Sequence, residues 1–424
     1  MPNIQRPRGT RDFGPEDMEQ RRHIEGILRK TAATFGYREI ATPTFEHAEL
    51  FTERSGEEVK NEMYVFKDKG GRDLSLRPEL TAPTMRFYAG DLRHLPKPIK
   101  IYYFGNCFRY ERPQSGRFRE FWQFGAEIIG GDIQGSDADI ITMAVTSLRN
   151  AGLEEFTTRI GHLGILRGFL EAMGISGERQ TQCMHFIDKG ELDALFDLLE
   201  GESGGETGKI KALIEMEKSS EVDELIENLV KGNERAENAL EELKTTLGFI
   251  RALGADNYII DLGIARGLDY YTGMVFEIDV PSLGAEKQVC GGGTYELAEL
   301  FGAEKINSTG FAIGFDRVMM GLKNKGQEIP VEGITAYVIP LGEEARTAAL
   351  ELAATLRKNG ISCDTALGER SIAKHMKFAN SISARFTIII GEDELKSGTA
   401  SVKNMESGEQ VAIPVDSVVA HVKK

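Results

Sequence analysis

FGNCFRYERPQSGRFREFWQFGAEIIG, residues 104–130, carries four arginines, Arg109, Arg112, Arg117 and Arg119, with the acids Glu111, Glu120 and Glu127 spaced between them. A strand-like run from Ile101 to Arg109 enters the stretch, the Pro/Gly loop PQSG turns it, and a second run from Phe121 to Ile129 returns. This pattern predicts an antiparallel hairpin. Planar guanidinium forks match phosphate oxygens in pairs, so a hairpin bearing several of them can cradle phosphates. The same residues can also make a surface hairpin laced with salt bridges. Taken alone, the stretch leaves both readings open.

The chain around the hairpin is acidic. Of 424 residues, 51 are Lys or Arg and 66 are Asp or Glu, so the formal net charge is 51 − 66 = −15 and no global positive field recruits polyanions. A nucleic-acid partner therefore needs a local basic patch. Hydrophobic residues make up 41% and charged residues 28%, as in a soluble globular protein long enough for two or three domains. The four cysteines, Cys107, Cys183, Cys290 and Cys363, lack CxxC spacing, which argues against structural zinc and a disulfide framework. No run of about 18 apolar residues exists, so no membrane span is expected. MPNIQRPRGTRDF lacks the apolar stretch of a signal peptide, and a cytoplasmic location is the default.

Upstream, Pro15, Glu16 and Asp17 predict a helix start with proline and acids in the first turn, running to about Phe35 and stopping at Gly36. A short strand is expected from Glu39 to Phe45, interrupted by Pro43. Met63 to Lys67 and Asp73 to Leu76 alternate about Lys69–Gly70–Gly71, a hairpin signal, and Pro78 to Pro83 opens another helix. Downstream, Asp137 to Asn150 reads as a helix. From about residue 165 to 253 the pattern turns helical, with a Gly-rich loop GESGGETG at 201–208 and Val222, Leu225, Ile226, Leu229 and Val230 at amphipathic spacing. Strand patterns resume at Tyr258 to Leu262 and Thr272 to Val280. A turn is expected at Gly291–Gly292–Gly293, then a helix from Gly314 to Leu322. KNKGQEIPVEG, residues 323–333, has linker composition. Beyond it, alternating strands and helices, with Ala345, Ala349, Leu352 and Leu356 inward, predict a compact α/β unit on a mostly parallel sheet.

Two more segments share the hairpin's chemistry, IARGLDYYTGMVFEI at 264–278 with Arg266 before two tyrosines and GFAIGFDRV at 310–318 with Arg317, and LRPELTAP at 76–83 joins them in one pattern. Together they resemble class II aminoacyl-tRNA synthetases, and within them the histidyl-tRNA synthetase family. FRYERPQSGRFREFWQFGAEIIG looks like the second signature motif, GFAIGFDRV like the third, and ARGLDYYTGMVFEI like the histidine-specific signature. PRGTRDFGPED near the start and SGEQVAIPVDSVVAHV near the end also match, so the likeness covers nearly the whole chain. The resemblance implies an α+β catalytic domain on an antiparallel sheet (1–325), interrupted by the helical insertion at about 165–253. A linker (326–333) and a C-terminal anticodon-binding α/β domain (334–424) would follow.

The implied activity is ligation of L-histidine to tRNA(His) by a cytoplasmic homodimer. Histidine is first activated by ATP, with Mg²⁺ shielding the triphosphate. That step builds charge on phosphoryl oxygens and calls for preorganised cations more than for a base. By the resemblance, Arg109 and Arg266 flank the α-phosphate, Arg317 reaches the phosphates, Arg117 holds the γ-phosphate, Phe121 stacks on adenine and Glu111 reads its edge. Arg119 is expected on phosphate or on the tRNA end. The α-ammonium suits Glu79, Thr81 and Gln123. An imidazole offers one donor and one acceptor, which Glu127 and the Tyr271 hydroxyl can meet, with Tyr270, the three glycines and Tyr295 lining the pocket. RPEL in place of RPEGT, Asp316 in place of Glu, and Tyr110 in place of His depart from common family forms. The rival reading is the non-catalytic, histidine-sensing regulatory paralogue of ATP phosphoribosyltransferase. As that family is understood, it lacks the C-terminal domain and has degraded ATP-contacting arginines.

Overall fold

The computed structural model describes residues 4–52, 61–112, 116–199, 206–265, 270–330, 333–366, 368 and 371–423. The chain divides into two compact units, Met1–Ile329 and Pro330–Lys424, parting within the linker-like segment.

Eleven strands are described in the first unit: β1 (Arg38–Glu39), β2 (Phe45–His47), β3 (Tyr64–Lys67), β4 (Asp73–Leu76), β5 (Ile99–Phe108), β6 (Glu120–Ile129), β7 (Thr157–His162), β8 (Tyr258–Ile260), β9 (Tyr271–Asp279), β10 (Gln288–Tyr295) and β11 (Ser308–Gly314). Eight form one sheet in the order β1-β5-β6-β11-β10-β9-β7-β8, antiparallel from β5 to β7, with short parallel strands at both edges. The hairpin is the long pair β5–β6, registered from Ile99↔Ile129 to Phe108↔Glu120. Helix Ile133–Asn150 is capped by Asp132, whose carboxylate accepts from the Gly135 amide at 2.7 Å. Its buried Ile140, Ile141, Met143, Ala144 and Leu148 recur at helical spacing and join the sheet's core, between helices Pro15–Thr34 and Glu234–Ala252.

Three local expectations are corrected. The strand placed at Glu39 to Phe45 is two strands in different sheets, since Pro43 cannot donate to a ladder: β1 edges the large sheet, while β2 joins β4 and β3. The Gly291–Gly293 stretch is mid-strand in β10 and makes no turn. Glycine is needed there because strands crowd: a Cβ on Gly292 would lie 2.2 Å from the Gly310 carbonyl, and one on Gly293 (φ +156°) 2.3 Å from the Met274 carbonyl. In helix Glu224–Val230, Ile226 and Val230 are buried, but Leu225 is 55% exposed and faces away from the core.

Between β7 and β8 the described chain is helical, from Leu163–Ala172 to Glu234–Ala252, as the sequence pattern predicts; residues 201–205 of the Gly-rich loop lie outside the described residues. The second unit carries β12 (Ala336–Pro340), β13 (Cys363–Thr365), β14 (Phe386–Ile390), β15 (Thr399–Asn404) and β16 (Gln410–Pro414) in the order β13-β12-β14-β15-β16. The first three strands are parallel, but β15 and β16 add antiparallel pairs, so the sheet is mixed. Ala345, Ala349, Leu352 and Leu356 are buried against one face, as their spacing predicts. His375 is buried on the other face and bonded to the Tyr337 hydroxyl at 3.0 Å.

Candidate active site

Side chains alternate across a strand, so register decides what stands on the pocket face. Phe121, Gln123, Gly125 and Glu127 of β6 share one face. Beside them on β11 stand Gly314, Ala312 and Gly310, and beyond those Gly291, Gly293 and Tyr295 of β10. The middle of the sheet therefore presents glycine and alanine, leaving a floor on which a ligand can lie against backbone. The pocket over this floor is lined by Glu79, Thr81, Arg109, Glu111, Arg117, Phe121, Gln123, Glu127, Tyr270, Tyr271, Tyr295 and Arg317, among others.

At one end stands a buried carboxylate. Glu127 is fully buried; Oε1 accepts from the Thr81 hydroxyl at 3.0 Å and the Tyr103 hydroxyl at 2.9 Å, and Oε2 accepts from the Tyr295 hydroxyl at 2.7 Å. Two glycines make room for this cluster. A Cβ on Gly125 would lie 2.4 Å from the Tyr103 ring, and one on Gly310 would lie 1.6 Å from Oε2. Burial pushes the Glu127 carboxyl up to about 8; the three hydroxyl donors pull it down, and nearby Glu79 adds to the rise. Glu79 is also buried and raised by burial, offset by the amides of Ala82 and Thr81, which donate to it and start helix Thr81–Phe87. Tyr270 packs on Tyr271 at 4.8 Å and on Tyr295 at 5.6 Å between ring centroids, so both tyrosines line the pocket and pack in the core. Gln123 accepts from the Cys107 thiol at 3.3 Å.

Cations occupy the other end. Arg109 donates to the Pro78 carbonyl at 3.0 Å, with its guanidinium 5.4 Å from the Phe121 ring. Arg317, from the first turn of helix Phe315–Asn324, donates to the Gln288 carbonyl at 2.6 Å and to Glu286 at 2.6 Å. Arg117 donates to the other oxygen of Glu286 at 2.9 Å and stands 3.6 Å from Glu111. Preceding Arg317, the buried Asp316 pairs with Arg11 at 2.7 Å and Arg21 at 2.8 Å and accepts from the Trp122 amide at 2.8 Å. This one carboxylate ties the N-terminal segment and first helix to β6 and the Arg317 helix.

The structure thus brings eleven of the twelve sequence-predicted site residues to one pocket, from four separated segments. The twelfth, Arg266, lies outside the described residues. Arg119 does not line the pocket: its guanidinium sits 3.8 Å over the Tyr110 ring and donates to the Glu111 carbonyl.

Residues 9–318 match the family model described as histidyl-tRNA synthetase, and residues 335–424 match the anticodon binding domain model. The chain belongs to the histidyl-tRNA synthetase family. Among its relatives, the histidine–tRNA ligase of Archaeoglobus fulgidus is 46% identical over 97% of each chain. That of Methanocaldococcus jannaschii is 44% identical over 98% of each. Among solved structures, a histidyl-tRNA synthetase from a Nostoc species superposes with a TM-score of 0.83 at 26% identity, covering 99% of each chain. As a histidyl-tRNA synthetase relative, the chain has the family's class II core, and its mixed central sheet agrees with that fold.

Sequence reasoning missed Tyr103 and Glu286. Tyr103 lies 24 positions before Glu127, and only the hairpin register brings its hydroxyl there. Glu286 ends a turn with no motif of its own, and its partner Arg117 is 169 positions away.

Proposed function

We propose that this pocket is where L-histidine and ATP are joined. Family membership makes the chain a histidine–tRNA ligase, an ATP-using aminoacyl-tRNA ligase whose partners are histidine and tRNA. In the proposed arrangement, Glu79, Thr81 and Gln123 receive the α-ammonium, while Glu127 and Tyr271 meet the two imidazole nitrogens beside Tyr270. A substrate without those nitrogens strands a buried carboxylate and a hydroxyl, which is a strong basis for rejection. Arg109, Arg117, Arg266 and Arg317 hold the phosphates, with Phe121 and Glu111 against adenine. The histidine carboxylate attacks the α-phosphorus, the bond to the bridging oxygen breaks, and pyrophosphate departs with the charge the arginines have stabilised. The terminal ribose hydroxyl of tRNA(His) then attacks the acyl carbon and AMP leaves.

One observation carries this reading: the buried Glu127 carboxylate and the guanidinium groups of Arg109, Arg117 and Arg317 line one pocket, together with Gln123. Mg²⁺ enters with ATP as its counter-ion. Among the described residues no group of three or more His, Cys, Asp or Glu is placed to hold a metal.

We infer that residues 334–424 read the anticodon, that the catalytic core spans 1–325 with its insertion at about 165–253, and that the enzyme works in the cytoplasm as a homodimer. Exposed Phe45, Val65 and Phe66 on the small β2-β4-β3 sheet support a partner surface. The regulatory reading is not favoured, because curated relatives named as ligases match across both units and Arg109, Arg117 and Arg317 are present. The test is charging: the purified protein should esterify tRNA(His) with labelled histidine and with no other amino acid, and failure with active tRNA would remove the reading.

A further inference from the structure

Glu286 ends the 3₁₀ turn Pro281–Glu286 that leads into β10. Its two carboxylate oxygens are divided between two arginines from different parts of the chain. Oε1 accepts from Nε of Arg117, on the return side of the hairpin loop, at 2.9 Å; Oε2 accepts from Nη2 of Arg317, on helix Phe315–Asn324, at 2.6 Å. The Glu286 side chain is 15% exposed and that of Arg317 24%, so the pair with Arg317 is largely withdrawn from water. Arg317 also donates to main-chain carbonyls, Nη1 to Gln288 at 2.6 Å and Nε to Gly116 at 3.3 Å. Gly116, with φ +83°, sits against the stem of this side chain: a Cβ there would lie 3.1 Å from the Cβ of Glu286. The hairpin loop, the β10 entry turn and the Arg317 helix thus meet at one carboxylate.

A carboxylate presents two oxygens to guanidinium groups much as one edge of a phosphate does. Arg117 and Arg317 are the cations that the functional reading above gives to the triphosphate, and the present inference rests on that reading. We propose that Glu286 is a stand-in for phosphate, holding Arg117 and Arg317 in place in the nucleotide-free protein and yielding them to the terminal phosphates of ATP. Two neighbouring guanidiniums without a shared anion repel and spread; with Glu286 between them they wait at phosphate spacing. The competition also selects. AMP has no phosphate that reaches this pair and leaves Glu286 where it is, whereas ATP and pyrophosphate must displace it. After adenylate forms, the carboxylate's return to the two arginines helps expel pyrophosphate. Glu286 is on this account a positioning and specificity residue and makes no bond to the reacting atoms.

The experiment is a calorimetric titration of ATP, pyrophosphate and AMP, in EDTA so that no metal bridges enter, on wild type, Glu286→Gln, Arg117→Gln and Arg317→Gln. Histidine binding serves as the control for an intact pocket. With the competitor removed and the side-chain shape kept, Glu286→Gln should bind pyrophosphate and ATP roughly tenfold more tightly. AMP and histidine binding should be unchanged, and pyrophosphate should become a stronger product inhibitor of charging. Both arginine variants should bind pyrophosphate more weakly. If they do, but Glu286→Gln binds pyrophosphate equally or less tightly, the stand-in role is overturned and the triphosphate placement stands. If the arginine variants bind ATP and pyrophosphate as wild type does, the triphosphate placement falls and the stand-in falls with it.

Discussion

The Tyr295 hydroxyl donates to Oε2 of Glu127 at 2.7 Å across an intervening strand, because Gly310 between them has no side chain. The sheet order puts β11 between β6 and β10, so any larger residue at 310 would stand in the path of this bond. Glu127 on β6, Gly310 on β11 and Tyr295 on β10 thus set this contact from three strands, and each can be tested by itself.

Tyr295→Phe removes one of the three hydroxyl donors on a buried carboxylate, and a hydrogen bond to a charged group contributes about 1.5–3 kcal/mol. Histidine titration should show a Kd raised roughly ten- to a hundredfold, with ATP affinity unchanged. Equal losses for both ligands would place Tyr295 outside the histidine end.

Gly310→Ala sets a methyl 1.6 Å from Oε2 of Glu127 and 2.8 Å from the Ala126 carbonyl. Histidine binding should be abolished, and thermal unfolding should fall by several degrees, as for an overpacked core costing about 1–3 kcal/mol. Gly248→Ala is the contrast: within helix Glu234–Ala252 a Cβ there meets nothing within 4 Å, and it should stabilise by about 0.5–1 kcal/mol. Similar melting shifts in both variants would contradict the packing argument.

Glu127 titrates at about 8 in the folded protein against an ordinary 4.5. Between those values the folded state holds the proton and the unfolded state does not, so this group's contribution to stability declines as pH rises from about 4.5 to 8. Glu127→Gln should remove that slope from the denaturation curves. Binding a neutral imidazole through an ionised Glu127 must release the proton, so histidine affinity should rise with pH up to about 8 and then level. Calorimetry in buffers of different ionisation enthalpy reads the released proton directly, and its absence at neutral pH would mean that Glu127 does not accept from the imidazole as an anion.

Asp316→Asn leaves Arg11 and Arg21 facing a neutral amide, with the Trp122 amide still in place. Breaking a buried pair in this way costs about 3–5 kcal/mol. Denaturant titration should show that loss, and KM for ATP should rise, because Arg317 is the next residue on the helix. A stability change confined to surface-pair size, below about 1 kcal/mol, would reduce the cluster to a solvated contact.

The hairpin was legible because its evidence is local: period-two alternation, a Pro/Gly loop and arginines at strand ends. The helix with Ala345, Ala349, Leu352 and Leu356 inward was legible for the same reason. Gly291–Gly293 was misread because three glycines in a row suit a turn, while the crowding that requires them belongs to β9 and β11. The contacts of Glu286 and Tyr103 come from register and long-range pairing, which a linear reading does not contain.

Histidine-dependent exchange of labelled pyrophosphate into ATP tests the central claim most directly, because it needs both ends of the pocket and no tRNA. Wild-type protein with Mg²⁺ should exchange only when histidine is present, and Arg317→Gln should lose most of the exchange while binding histidine as wild type does. Normal histidine binding by the wild type without any exchange would contradict the account and return the pocket to a histidine sensor.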